Sequence, residues 1–387
     1  MMTAVARTIR FGIIGAGLMG REFASVAARW CHLLDLDFKP EIVAVCDSNP
    51  EALDWFVRNV PTIRQVSANY EELLENPDIE AIYCAVPHHL HELLYRDIIR
   101  SGKHLLGEKP FGIDQEANRG ILKELEHHPQ AVVRCASEFP FFPGAYKMAQ
   151  WVREGRFGSI IEVEAGFLHS SDLNPLKPIN WKRRTATNGE YGCMGDLGVH
   201  VLHLPLQFGW NIRNVRALLS NIVKERPDGH GVMVPCDTWD NAILACEASA
   251  DGQPFPMVLS MKRIDPGHAN TWFIRVKGTQ WSAEFSTQYP KQIKYMPYAP
   301  GHVMGWIYED IPYASAYPTV TGSIFEFGFS DSLLQMWAAY CDELANGRIS
   351  PVVRCVTPEQ TAEAHRVFTA ALISYREGRT VELGDIS

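Results

Sequence analysis

Continuous apolar runs alternate with helical periodicity over the first 140 residues. Ile9 to Ile14 reads as a short strand, and glycines then lead into a helix-like stretch from Leu18 to Trp30. Glu41 to Cys46 is β-branched and apolar, a buried strand ending at Asp47, and Pro50 to Asn59 is helical in pattern. Asn69 followed by Glu72 has the spacing of a capping box ahead of Leu73 and Leu74. Ile79 to Val86, Lys103 to Gly107 and Ala131 to Ala136 read as strands, with helices at His88 to Arg100 and Asp114 to His127. Strands buried on both faces give unbroken apolar runs, so this alternation predicts an α/β unit with a doubly wound parallel sheet.

Beyond residue 140 the texture changes. A helix-like Gly144 to Glu154 precedes a long strand candidate, Ile160 to Leu168, and Gly195 to Phe208 reads as a helix. From 215 to 300 strands dominate, with hairpin signals at 250–253 (A-D-G-Q) and 277–280 (K-G-T-Q). Leu333 to Ala345 and Pro358 to Tyr375 are helix candidates. The pattern predicts an α+β second domain with a large, mostly antiparallel open sheet. Prolines in E-F-P-F-F-P place the boundary near 138, giving domains 1–138 and 139–387.

Composition narrows the functional classes. The chain has 387 residues, about the length of two domains, and its 46% hydrophobic content excludes a disordered chain. A net charge of −9 argues against a nucleic-acid or anionic-membrane partner. No apolar run suffices to span a bilayer, and Arg7 and Arg10 interrupt any signal-peptide-like start. Nine scattered cysteines without a C-x-x-C pair suggest a reducing compartment, and the location expected is cytoplasmic.

Gly15-Ala16-Gly17-Leu18-Met19-Gly20 fits G-x-G-x-x-G between the first strand and first helix. There the glycines permit a tight turn, and the helix N-terminus offers N–H groups to a pyrophosphate. The same pattern also fits a turn that holds no ligand. Asp47, at the end of the second strand, is placed to accept the ribose hydroxyls of NAD. It lies 27 positions after Gly20, the excess being taken up by residues 31–40. A carboxylate repels the 2′-phosphate of NADP, so NAD is favoured; Asp47 also fits a helix-capping role over Pro50.

Three more segments carry chemistry: A-V-P-H-H-L-H (85–91), G-K-H-L-L-G-E-K-P (102–110) and G-D-L-G-V-H (195–200). With the glycine motif, in this order, they resemble the glucose–fructose oxidoreductase / inositol dehydrogenase (Gfo/Idh/MocA) family over nearly the whole chain. The resemblance implies an N-terminal Rossmann domain and an NAD(P)-dependent oxidoreductase acting on CH–OH groups of a polyhydroxylated small molecule, a sugar, cyclitol or sugar derivative. It implies a homodimer or homotetramer as well. Asp196 and His200 are i and i+4, on one helix face. By similarity His200 is the general base, Lys109 stabilises the developing alkoxide, and Asp196 binds a neighbouring hydroxyl and orients the ammonium or imidazole. Some relatives use the lysine as base, which leaves the split open. Ala85, Pro87, His88, His91, Glu108 and Lys109 follow strand ends and are expected to line the cofactor crevice.

Where many relatives have a polar segment after the sixth strand, this chain has S-E-F-P-F-F-P (137–143). Glu138 is a candidate substrate contact, and Phe139, Phe141 and Phe142 either line the pocket or pack in the core. Trp181 and Lys182 are further substrate candidates. The cations Lys182, Arg183 and Arg184 suit either an anionic substrate group or a solvated loop, as do Lys262 and Arg263. His88, His89, His91 and His203 lack the spacing of a metal site, and no metal is expected. An NAD-dependent glycosidase of the same architecture and a non-catalytic ligand-sensing regulator are the alternatives.

Overall fold

The computed structural model describes residues 6–311, 315–322 and 327–386. Its first sheet consists of β1 (Arg7–Ile14), β2 (Phe38–Cys46), β3 (Gln65–Ser67), β4 (Ala81–Cys84), β5 (His104–Gly107) and β6 (Val133–Cys135). These strands are all parallel, in the order β3-β2-β1-β4-β5-β6. The helices between them are α1 (Leu18–Ala28), α2 (Pro50–Asn59), α3 (Glu71–Glu75), α4 (His91–Arg100) and α5 (Gln115–His127). Two starts follow from side-chain caps: Asn49 accepts from the Glu51 amide, and Asp114 from the Ala117 amide. The capping box at Asn69 does not form. Asn69 Oδ1 accepts from the Glu71 amide two residues on, an Asx turn, so the helix starts one residue too late for Glu72 to stand at its third position.

The second half contains α6 (Pro143–Arg153), β7 (Ile160–Leu168), α7 (Thr185–Asn188) and α8 (Cys193–Gln207). Strands β8 (Asn211–Ser220), β9 (Glu225–Pro227), β10 (Met233–Pro235), β11 (Asn241–Ala250) and β12 (Gln253–Lys262) follow. Next come β13 (Thr271–Gly278), β14 (Trp281–Ser286), β15 (Gln292–Pro297) and β16 (Ile307–Asp310). Helices α9 (Phe329–Asn346) and α10 (Pro358–Glu377) and the short β17 (Val381–Glu382) close the chain. Nine of these strands form one sheet in the order β16-β15-β14-β13-β7-β12-β11-β8-β17. Every pair is antiparallel except β7 with β12. The sheet alternates, β8 reading exposed and buried almost residue by residue, so one face packs on helices while the other stays open.

The hairpin signal at 250–253 holds: Ala250 pairs with Gln253 across Asp251 and Gly252, both at positive φ. Helix α8 starts at Cys193 rather than Gly195, because the chain turns at Gly192, where φ is +57° and a Cβ would stand 2.5 Å from the Trp239 amide nitrogen. The nine cysteines are unpaired, and eight are buried. No helix among the described residues is long and apolar enough to cross a membrane. One apolar core runs through both halves, with Trp337 of α9 packed against Phe11 of β1 and Phe23 of α1.

Candidate active site

The glycine turn is built by close backbone approach. Gly15 has φ +102°, and a Cβ there would lie 2.3 Å from the Ala85 carbonyl oxygen. A Cβ on Gly20 would lie 2.1 Å from the Gly15 carbonyl oxygen, so α1 sits against the turn it follows. At Gly17 a Cβ would meet nothing within 4 Å, and Leu18 is 77% exposed. Gly17 caps α1 with no side-chain bond, leaving first-turn N–H groups facing open space. Asp47 Oδ2 accepts from the Ala16 amide at 2.7 Å and Oδ1 from the Asn49 amide at 2.8 Å, so the carboxylate ties the glycine turn to the end of β2. An open cradle of amides beside a carboxylate fits a dinucleotide.

The next strand ends form the wall beside it. His88 is buried with Nδ1 3.1 Å from the Asn188 carbonyl. Its ring meets Trp181 edge-on, centroids 4.8 Å apart, and burial holds its pKa well below the usual value, helped by His91 and Lys109. His91 begins α4 and is fully buried, stacked on Tyr95. Its Nε2 donates to the Val86 carbonyl at 3.0 Å and its Nδ1 accepts from the Gly112 amide, which leaves no ring nitrogen for a nucleotide. It braces the turn instead, and burial presses its pKa down to about 3. Glu108 is buried: Oε1 accepts from Tyr83 Oη at 2.7 Å, and burial raises its pKa against the pull of Lys109.

Lys109 and the α8 residues meet. Lys109 Nζ donates to Asp196 Oδ1 at 2.8 Å and to the Asp196 carbonyl at 2.7 Å. Lys182 Nζ donates to the same Oδ1 at 2.9 Å, and Arg263 Nη1 donates to Oδ2. Asp196 is 2% exposed and carries three cations, so it has no free face for a substrate hydroxyl; it orients ammonium groups. Burial alone would raise its pKa, but Lys109, Lys182 and Arg263 drive it well below the usual carboxylate range. For Lys109 burial pulls the other way, and Asp196 with Glu108 outweighs it, so the pKa rises and the group stays an ammonium.

His200 lies one turn beyond Asp196. Its Nδ1 is 3.0 Å from Ser137 Oγ, and its ring is held edge-on by Phe139 and Phe167. Burial, then Lys109, keeps its pKa well below the usual value, so the imidazole is neutral. Phe139, Phe141 and Phe142 are all core residues. Glu138 is buried, and burial together with Glu108 raises its pKa to about 8, against the pull of Lys109. His203 points to the Arg354 carbonyl, 2.8 Å from Nε2.

A solvated loop describes Arg184, which is exposed, but neither Arg183 nor Arg263. Arg183 is wholly buried and paired with Asp240, while Arg263 is 7% exposed and bridges Asp196 to Asp172, Nε donating to Oδ2 at 2.7 Å. Asp172, Asp240 and Ser137 carry no sequence signal of their own. Arg263 and Asp172 are 91 positions apart and meet because β7 and β12 are neighbours.

The comparisons agree with this architecture. Residues 9–134 match the family model described as "Oxidoreductase family, NAD-binding Rossmann fold", and residues 146–279 match the Gfo/Idh/MocA C-terminal domain. The chain is 23% identical over 222 residues to a levoglucosan dehydrogenase of Pseudarthrobacter phenanthrenivorans, covering 57% of this chain and 56% of that protein. It is 26% identical over 194 residues to a trans-1,2-dihydrobenzene-1,2-diol dehydrogenase of Sus scrofa, covering 50% and 54%. The aligned part thus spans about half the length of these curated relatives. Among solved structures, a levoglucosan dehydrogenase in complex with NADH superposes with a TM-score of 0.86 at 20% identity, over 97% of this chain and 99% of that one. An oxidoreductase domain protein from Kribbella flavida superposes at 0.87, also at 20% identity, with the same coverage. With both family models matched and the same two-sheet fold, the chain belongs to the Gfo/Idh/MocA oxidoreductase family and carries its NAD-binding Rossmann fold.

Proposed function

We propose that the protein is an NAD-dependent dehydrogenase that oxidises a secondary hydroxyl of a sugar, cyclitol or sugar derivative. The observation that carries this reading is the Lys109 ammonium, fixed by two bonds to Asp196 at the carboxyl end of β5, next to the open glycine cradle. Residues 15–20 and Asp47 would hold the dinucleotide, with Ala85, Pro87 and His88 along its path. Once bound, NAD supplies the hydride acceptor. Lys109, kept protonated by Asp196, donates a hydrogen bond to the substrate oxygen and stabilises the alkoxide that develops as hydride leaves carbon. His200, neutral at pH 7, takes the hydroxyl proton, and Ser137 with the two phenylalanine edges sets its ring orientation.

The test is absorbance at 340 nm during a screen of polyols, aldoses, anhydrosugars and uronates with NAD and NADP in parallel. Substrate-dependent NADH formation supports the reading. Release of free sugar from glycosides without net NADH would replace it with the glycosidase alternative. His200→Gln should lower kcat about a hundredfold and remove the low-pH limb of the rate profile; an unchanged profile assigns the proton to another group.

A further inference from the structure

Arg263 divides one guanidinium between two carboxylates. Nε donates to Asp172 Oδ2 at 2.7 Å and Nη2 to Ser171 Oγ at 3.3 Å, which leaves Nη1 to donate to Asp196 Oδ2. Asp172 is 1% exposed and lies in the loop between β7 and α7. The main chain of that loop is held separately. Arg226 of β9, buried as deeply, donates from Nη2 to the Asp172 carbonyl and from Nη1 to the Asn174 carbonyl at 2.7 Å. Lys177, with a side chain 40% exposed, reaches Asp172 Oδ1 at 3.2 Å from the solvent side, and Arg183 Nη1 lies 4.0 Å from Oδ2.

A guanidinium and a carboxylate favour two parallel hydrogen bonds, a fork that an ammonium cannot form. Offered freely to Asp196, Arg263 would take both oxygens. Oδ1 is the oxygen that Lys109 and Lys182 share, at 2.8 Å and 2.9 Å. Asp172 and Ser171 occupy the Nε–Nη2 edge, so Arg263 gives Asp196 a single bond and Oδ1 stays with the lysines.

We propose that Asp172 is a positioning residue for the reaction: it ties up one edge of Arg263 and so reserves Asp196 Oδ1 for Lys109. The proposal rests on the dehydrogenase reading for its effect on turnover, while its effect on Lys109 belongs to the chain itself. Without Asp172 the guanidinium turns its fork on Asp196, and Lys109 loses the anion that outweighs burial. The ammonium then gives up its proton at lower pH and stabilises the alkoxide less well. Other groups around Lys109 keep their state: Glu108 stays on Tyr83, and His88, His91 and His200 are neutral. Lys182 loses the same oxygen as Lys109. Glu138, raised to about 8 by burial and Glu108, titrates nearby, so each measurement is repeated with Glu138→Gln.

The experiment titrates Lys109 on the full chain by competitive acetylation with acetic anhydride across pH, read by mass spectrometry, which needs no substrate. Asp172→Asn should move the Lys109 midpoint down by about one pH unit. For the substrate found at 340 nm it should lower kcat about tenfold to a hundredfold, with the Kd for NADH unchanged. Adding Arg263→Lys, whose ammonium cannot fork, should recover most of both losses. Arg226→Gln loosens the same loop without touching the Asp172–Arg263–Asp196 bonds, so it should lower the melting temperature and leave the midpoint in place. Ser171→Ala should move the midpoint the same way by a smaller step, and it decides alone if Asp172→Asn does not fold. An unmoved midpoint overturns the proposal, as does an equal shift in Arg226→Gln or a double variant no better than Asp172→Asn. A moved midpoint with unchanged kcat overturns the role in turnover. If the midpoint moves as expected but the parent oxidises no probe, the contact stands and the dehydrogenase reading falls.

Discussion

The two walls of the crevice are made of different material. The glycine turn is backbone, assembled from residues 15 to 20 and one carboxylate, and it is open to solvent at Gly17 and Leu18. The opposite wall is side-chain charge, brought to Asp196 from β5, the loop before α7 and the end of β12, and most of it is buried. Backbone geometry is local and tolerates little change of shape. Buried charge is non-local, and removing one partner strands the others. Under the proposed function, cofactor recognition is the local half and substrate recognition the half that distant sequence changes can re-tune.

The comparison breaks most visibly at Lys109. Lys109→Met should lower kcat by about a thousandfold or more while NADH fluorescence titration gives an unchanged Kd; loss of cofactor binding would mean that the two walls are not separable. Arg263→Met leaves Asp196 and Asp172 short of a partner, and urea unfolding should show a loss of about 3–5 kcal/mol. Stability equal to that of the parent would mean that water or Lys182 takes over the contact.

The glycine wall separates shape from binding. Gly15→Ala should lower the melting temperature, because its Cβ meets the Ala85 carbonyl at a positive φ. Gly17→Ala should leave the melting temperature unchanged yet weaken NADH binding about tenfold, since the space its Cβ enters is the cradle. Asp47→Ser should shift preference from NAD toward NADP by a smaller factor, read as the ratio of the two kcat/KM values.

The smallest effect concerns Glu138 and depends on pH. Its folded-state pKa, about 8, lies above that of an ordinary carboxyl, so the protonated form favours folding. That contribution is complete below about pH 4.5 and is lost as pH rises toward 8. Glu138→Gln should therefore raise the melting temperature more at pH 8 than at pH 5. Equal gains would place the carboxyl in a more polar setting.

The first sheet was legible because parallel strands buried on both faces write continuous apolar runs, and the glycine motif sits between two of them. Lys109, Asp196 and His200 were legible through short motifs. Element ends were less so: Asn69 suggested a capping box because spacing alone cannot tell an Asx turn from an N-cap. His91 looked like a crevice residue by position, yet its ring serves the backbone of Val86 and Gly112. The Arg263–Asp172 pair left no local trace, since it exists only once β7 lies beside β12, and Arg183 meets Asp240 across 57 positions of chain. A charged residue next to apolar neighbours reads alike whether it is paired inside or hydrated outside.

Trp337 sets a schedule for synthesis. The sheet that carries the glycine turn leaves the ribosome about two hundred residues before the helix whose indole covers Phe11 and Phe23. Until then an aromatic patch on the nascent chain stays bare, and a fragment stopped near residue 140 would keep it bare for good. Expression of such a fragment should yield aggregates or demand a chaperone, and the enzyme is thus obliged to finish its own translation before its first half can come to rest.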